Sequence, residues 1–518
     1  MELSRTSNTI RNTYWSLISK VINLFLPFVS RTIIIKSLGM DYIGLGGLFT
    51  SILSVLSITE MGISSALVFS MYKPIAEDDK ETICALMALY RKAYRIIGTI
   101  IFVLGIVISF FLPMLIKGTV PPDINIYILY YITLFNTAIG YFLYGYRNCL
   151  FTAHQRNDVA VKIQMFCIMF QNLLQIILLV LFKNYYFYVI VLPVFTILSN
   201  IIIAAYSVKI YPEYKCYGKV KPVVMQKLKK QISGLFLGQI NITVRTALDN
   251  MFISVFMGLT MVGMYSNYFL ILNTVIGFVR LIDGAMVAGV GNSVVVDTVE
   301  KNYADFKRFT FMSQWIISFC TIAILCLIQP FMNIWVGKEL MFRDSMAVIC
   351  AVYMFLTNIG MVRGIYTSAI GLWWEFRVYS MIDIVMNFMM NLIFVYLWGA
   401  YGILLATALV VGLIGIPWSA YILFENYFGM KRLGAYLWEL MKYMLITAVT
   451  GAVTYYICVL LPCKGKWTIL AIRMILCIIL PNFIFWVIYQ RGELFKETVS
   501  FCKSAFQNYL EKSRTKHS

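Results

Sequence analysis

From Ile96 to Ile116, and again from Gly402 to Phe424, the chain runs without a charged residue. About 20 apolar residues in helical geometry cross the hydrocarbon core of a bilayer, and a soluble fold has no use for many such runs. Apolar segments recur at 12–36, 42–70, 93–116, 124–150, 159–182, 187–209, 233–257, 263–290, 309–333, 344–371, 377–398, 402–424, 437–461 and 468–490. This pattern predicts an all-α polytopic membrane protein with about 14 transmembrane helices. Composition agrees. Of 518 residues 60% are hydrophobic and only 13% charged, against about a quarter charged in an ordinary soluble protein. A soluble enzyme, a disordered chain and a nucleic-acid module are excluded. The first apolar stretch runs past residue 35, too long for the apolar region of a cleavable signal.

The net charge is +19, from 43 Lys and Arg against 24 Asp and Glu. Basic residues concentrate in cytoplasmic loops. Placing the N-terminus and every second loop inside collects 31 of the 43 there. Eight fall outside: Lys36, Lys117, Lys183, Lys338, Arg343, Lys464, Lys466 and Arg473. That asymmetry predicts both termini in the cytoplasm, and it explains the charge by topology without a nucleic-acid partner. The longest polar linker, 211–232, is basic and suited to the anionic inner leaflet, so membrane lipids are expected partners. It separates six spans from eight. We expect an N-terminal lobe at 1–232, a C-terminal lobe at 233–436, and spans 13 and 14 with a cytoplasmic tail at 437–518.

An internal repeat supports this division. Gly39-Met-Asp-Tyr-Ile-Gly44 matches Gly258-Leu-Thr-Met-Val-Gly263, each in the short outer loop that opens the second span of its half. Six spans per half would make parallel repeats, and transporters built this way bind substrate between the halves.

Other chemistries lack their residues. Eleven cysteines form no CxxC pair, and those in apolar runs (Cys167, Cys320, Cys326, Cys477) read as small buried hydrophobes. Two histidines provide no metal cluster, and no Gly-Lys is followed by Ser or Thr, which removes the phosphate-binding loop and direct ATP drive. Neither a catalytic set, a metal nor a cofactor is expected, apart from a coupling H+ or Na+.

Ionisable groups at membrane depth are costly and seldom face lipid. Arg31, Arg245, Arg280 and Arg363 lie within spans, accompanied by Glu60, Asp249, Asp283 and Asp383. A water-filled cavity would let the arginines hold phosphate or carboxylate through bidentate hydrogen bonds. Asn241 and Asn250 flank Arg245, which makes the seventh span the most polar and a candidate cavity wall. The acids are candidates for ion coupling, Glu60 and Asp383 ahead of those spaced to pair with arginine. The competing reading is structural: Arg245 and Asp249 are four apart, Arg280 and Asp283 three apart, and such pairs neutralise each other within a helix.

The chain resembles the polysaccharide-biosynthesis flippases of the multidrug/oligosaccharidyl-lipid/polysaccharide exporter superfamily. Three stretches carry the likeness: Arg11-Asn12 through Phe28-Val29-Ser30-Arg31 to Leu38-Gly39 and Ile43-Gly44; Asp249-Asn250-Met251-Phe252-Ile253 with Gly258, Val262-Gly263 and Tyr265; and Asn391-Leu392-Ile393 with Gly399-Ala400-Tyr401-Gly402-Ile403 and Ala406-Thr407. The resemblance implies two six-helix lobes in a V, with two further helices beside a groove. It also implies alternating access driven by an ion gradient, in a bacterial cytoplasmic membrane. The substrate it implies is an undecaprenyl-diphosphate-linked oligosaccharide for O-antigen, capsule or exopolysaccharide. A polysaccharide polymerase and chain-length proteins are the partners it suggests. Arg31, Arg245 and Arg280 match the family's cavity arginines in the first, seventh and eighth spans. The alternatives are a cation-coupled multidrug exporter of the same superfamily and a membrane polysaccharide polymerase.

Overall fold

The computed structural model describes residues 5–514 apart from 61 and 462–464. Side chains of residues 5–10, and of scattered positions chiefly in 223–244, 281–288 and 502–514, lie outside the description. The described chain is helical throughout, without a strand. It forms two compact units, Met1–Ser266 and Asn267–Ser518.

The first unit contains α1 (Arg5–Ser37), α2 (Met40–Leu56), α3 (Ile63–Ala76), α4 (Lys80–Ser109), α5 (Ile126–Phe142), α6 (Asn148–Ala153), α7 (Asn157–Phe182), α8 (Tyr185–Ile210) and α9 (Pro222–Met257). It also takes in the start of α10 (Leu259–Val296). Local chemistry sets the boundaries. Asp79 accepts from the Thr82 amide at the start of α4, and Asn125 and Asn184 cap α5 and α8 in the same way. These side chains satisfy amides that the first helical turn leaves unpaired. The core is α2, whose Leu45, Leu48, Phe49 and Ile52 are at most 1% exposed.

The turns into α2 and α10 are built alike. Gly39 and Gly258, equivalent in the repeat, both sit at positive φ (121° and 89°), which glycine adopts without the penalty a Cβ brings. The motif Arg11-Asn12 also acquires a role. Arg11 pairs with the buried Asp158 at 2.9 Å. Asn12 accepts from the Asp158 amide and donates to the Gln155 carbonyl, fixing the tight turn into α7.

The second unit continues with α11 (Val299–Trp335), α12 (Ser345–Ile370, kinked near Gly360), α13 (Arg377–Trp398), α14 (Ala400–Phe428), α15 (Leu433–Leu460), α16 (Lys466–Tyr489) and α17 (Glu493–Arg514). The long α11 packs against α12, α15, α16 and α17. At one end Phe306, Tyr366, Phe424, Phe428 and Tyr436 form a buried aromatic cluster. Gly402 lets α14 close on α13, because any Cβ there would strike the Phe394 carbonyl.

Each expected span falls on a helix or a helix pair. Among the described residues, eleven helices are long and apolar enough to cross a membrane, and a twelfth joins them if α5 and the bent Gly145–Ala153 segment form one span. The expected span 42–70 is interrupted. The 17-residue α2 ends in a tight turn, Ser57–Glu60, before α3, and Glu60 occupies that break. Exposed apolar side chains such as Phe110, Leu181, Tyr396 and Leu445 cover the helices, as expected of surfaces solvated by lipid chains. The protein is a multi-pass membrane protein.

Candidate functional site

Within the first unit α2, α5 and α9 enclose an open groove of about 460 Å³. Among the described residues its lining is Thr50, Leu53, Ser54, Ser57, Thr133, Asn136, Thr137, Thr243 and Thr246. Eight of these nine side chains carry a hydroxyl or amide and none is charged. Thr50 and Ser54 follow one face of α2 and Ser57 continues it at the helix end, at the i, i+4, i+7 spacing, while Thr133 and Thr137 share one face of α5.

The hydroxyl protons are already engaged. Thr50 donates to Gly46 O and Ser54 to Thr50 O, both at 2.7 Å, and Ser57 donates to Leu53 O at 2.9 Å. Thr133, Thr137 and Thr246 likewise bond to carbonyls of their own helices. A hydroxyl that has spent its proton keeps acceptor lone pairs. Asn136 accepts from Thr196 at 2.7 Å, which leaves its NH2 as a donor. The groove is therefore rich in acceptors that match the O–H donors of a polyol.

Several of the expected site residues lie close in sequence to this lining without being part of it. Arg245 lies on α9 between Thr243 and Thr246 and is half-buried. One turn further on, Asn250 donates to Ser51 of α2 at 2.9 Å. Asp249, 2% exposed, accepts from Tyr265 at 2.9 Å. Glu60, just beyond Ser57, is held at both oxygens, by Tyr94 and by Tyr141, each at 2.6 Å. Tyr90 extends this chain by donating to Tyr94 at 3.2 Å.

Arg31 lies elsewhere in the unit. It is half-buried on α1, within electrostatic range of Tyr185 and Tyr188 of α8. Its neighbour Ser30 bonds Asn172 of α7 at 2.8 Å.

The other expected residues whose side chains are described belong to the second unit. Arg363, 6% exposed, donates to Tyr436 at 3.1 Å, and its guanidinium packs over Gly360. Asp383 is fully buried on α13 and accepts from Tyr379 at 3.4 Å. It stands in line with Asn387 and Asn391, which bond each other, while Asn387 also bonds Thr407 of α14. Arg280 is exposed on α10. The side chains of Asn241 and Asp283 lie outside the described residues.

Two features escaped sequence reasoning. The groove hydroxyls were missed because Ser and Thr are common in apolar helices. Their only signal was the spacing along α2 and α5. The second is the convergence of Cys326, Cys458 and Cys477 from three helices, with sulfurs within 4.8 Å of one another in an apolar cluster.

A multi-span helical bundle whose first unit carries a polar groove among apolar helices has the build of a membrane transporter. The profile of the polysaccharide biosynthesis protein family matches residues 9–287, and the chain belongs to that family. No curated protein sequence matches it. Among solved structures it is similar to the lipid II flippase MurJ in an inward closed conformation. There the TM-score is 0.64 at 16% identity, covering 93% of this chain and 99% of that one. It is similar as well to an inward-facing multidrug resistance MATE family transporter of the MOP superfamily, with TM-score 0.59, 17% identity and coverage of 83% and 98%. A MOP superfamily transporter from Pyrococcus furiosus shares the fold at TM-score 0.52 and 16% identity, covering 83% and 96%. The chain therefore has the multidrug/oligosaccharidyl-lipid/polysaccharide exporter fold.

Proposed function

We propose that the protein flips an undecaprenyl-diphosphate-linked oligosaccharide across the bacterial cytoplasmic membrane by alternating access, and that it is not an enzyme. The observation that carries this reading is the groove whose nine described lining residues are uncharged and rich in acceptors, in a chain of the polysaccharide biosynthesis family. Sugars present many O–H donors, and a site built to pair them rejects ligands that leave its polar groups unsatisfied. Lipophilic drug cations fit this lining poorly, which disfavours the multidrug reading.

In this mechanism the groove receives the sugars of the repeat unit while the lipid tail stays in the bilayer. Arg245, on α9 between the groove residues Thr243 and Thr246, supplies positive charge for the diphosphate. Glu60 is the first candidate for coupling to H+ or Na+, because it follows the groove residue Ser57 by three positions and its tyrosine partners form a hydroxyl chain. Both termini face the cytoplasm, and a polysaccharide polymerase receives the flipped unit on the other side.

Flipping of a fluorescent undecaprenyl-diphosphate oligosaccharide in reconstituted vesicles tests the proposal. Thr50→Val with Thr133→Val removes two groove hydroxyls without changing shape. The expected result is a loss of transport of about fivefold or more, since each sugar–hydroxyl bond contributes about 0.5–1.5 kcal/mol, with protein yield and melting unchanged. Unaltered flipping in that double variant and in Arg245→Gln would overturn the assignment of the groove.

A further inference from the structure

A second cavity, of about 630 Å³, lies wholly within the second unit, between α11, α15, α16 and the 336–344 loop. That volume is within the roughly 300–1,000 Å³ of small-molecule sites. Lys338, Arg343, Lys466 and Arg473 line it, against one acid, Asp344. Two stretches of sequence more than 120 residues apart, the 336–344 loop and α16, supply these cations, and they account for four of the eight basic residues that charge counting places outside. Basic residues are sparse on that side of a membrane protein, so their convergence on one cleft requires a reason.

None of the four is in an ion pair among the described residues. Lys466 reaches the Asn333 carbonyl at 3.5 Å and Arg473 the Cys326 carbonyl at 3.3 Å. Arg473 Nε and Asn333 Oδ1 are buried without a hydrogen-bond partner. Four cations set against a single acid repel one another, and a buried unpaired guanidine nitrogen is costly, so an anion seated here relieves both.

The cleft is also fixed in shape. Gln329 accepts from Tyr268 at 2.8 Å and donates to the carbonyls of Phe342 and Arg343 at 3.1 and 2.7 Å. Tyr401 accepts from the Arg343 amide at 3.0 Å. The loop that carries Lys338 and Arg343 is thereby pinned to α11 and α14, so little ordering remains to be done when a ligand binds.

Beside the cations, α15 and α16 present apolar surface: Tyr456, Val459, Leu460 and Trp467 are 64%, 53%, 60% and 72% exposed. A cationic cleft bordered by lipid-facing side chains suits an amphiphile whose phosphate enters while its chains remain in the bilayer. We propose that this cleft is an anion site for the phosphate of a membrane lipid headgroup. It lies within the second unit and does not depend on the transport reading.

The test uses the full-length protein in nanodiscs, with phosphatidylglycerol retention read by native mass spectrometry against phosphatidylcholine. Inorganic diphosphate is the soluble competitor. The wild type is expected to retain phosphatidylglycerol selectively. Lys338→Gln, Arg343→Gln and Lys466→Gln combined are expected to cut that retention at least fivefold, with melting within two degrees of wild type, because all three side chains are exposed. The matching Lys338→Arg, Lys466→Arg variant should retain the lipid, which separates charge from packing. Equal lipid retention in wild type and the triple variant overturns the proposal. A diphosphate-induced melting shift that the triple variant abolishes, without lipid selectivity, also overturns it and assigns the cleft to a soluble phosphate.

Discussion

Asp41 accepts a hydrogen bond from Thr260, the residue that stands 219 positions later and holds the same place in the internal repeat. The contact is reciprocal around them. Gly44 packs against the Leu259 carbonyl, and Gly263 packs against the Met40 carbonyl, where a Cβ would lie 2.6 Å away. Met40 and Leu259 are themselves equivalent, so each loop meets the other through the same surface. This is the self-complementary contact that two-fold symmetry produces. The repeat detected in the sequence thus exists physically as a glycine-mediated backbone contact.

Gly44→Ala and Gly263→Ala should each be destabilising, because the added carbon meets a carbonyl that cannot move aside without shifting a helix. Forced overpacking of this kind costs about 1–3 kcal/mol. Gly277, with open space around its Cβ position, is the control, and Gly277→Ala should be neutral or slightly stabilising. Thermal melting of the detergent-solubilised protein separates the two outcomes. Unchanged melting in Gly44→Ala would contradict the close approach.

Glu60 and its two tyrosines yield a second expectation. A hydrogen bond to a charged acceptor contributes about 1.5–3 kcal/mol. Tyr94→Phe and Tyr141→Phe should each lower stability by that order. In a Glu60→Gln background the same substitutions should cost less, because the charge is gone. A double-mutant cycle measures the difference. Additive effects would mean that the phenols hold the helices together without acting through the carboxylate.

Much of this architecture was legible beforehand. Hydropathy located the spans because a bilayer forces backbone polar groups into helices. The glycine motif located the repeat because only glycine tolerates those approaches. Individual charges were harder to read. Arg31 and Arg363 look alike in the sequence, each a lone arginine in an apolar run. Arg363 proves to be buried against Tyr436, contributed by α15 seventy-three residues away, and no local pattern reports such a partner. The hydroxyl groove was hidden for a similar reason: back-bonded Ser and Thr are ordinary in apolar helices, and only the meeting of α2, α5 and α9 makes a surface of them. The cations around α16 were read singly as loop charges, because their convergence depends on tertiary packing.

Arg363 itself is expected to act through stability. With the residue 6% exposed and its guanidinium bonded to Tyr436, Arg363→Ala removes packing and takes away the phenol's partner. Tyr436→Phe should cost about 1–3 kcal/mol by stranding part of the guanidinium, and Arg363→Ala should cost more. Flipping per folded molecule should stay near wild type in Tyr436→Phe. A selective rise in the substrate concentration needed for half-maximal flipping, with melting unchanged, would instead place Arg363 at a substrate site.

The turn between α6 and α7 holds a pH-sensitive contact outside the apolar helices. His154 stacks on Tyr211 at 4.4 Å and on Tyr214 at 5.6 Å between ring centres. Burial lowers its pKa below the ordinary value of 6.5, with Glu213 opposing the shift. The folded protein therefore holds this imidazole neutral where the unfolded chain would protonate it. Its contribution is complete above about pH 6.5 and is lost as the pH falls through that value towards the depressed pKa. Melting of the wild type should accordingly decline between pH 7.5 and pH 5.5. His154→Phe keeps a stacking ring and removes the titration, so its decline should be shallower over the same interval, by up to a few degrees. Parallel melting profiles for the two proteins would show that the ring is not the group being protonated.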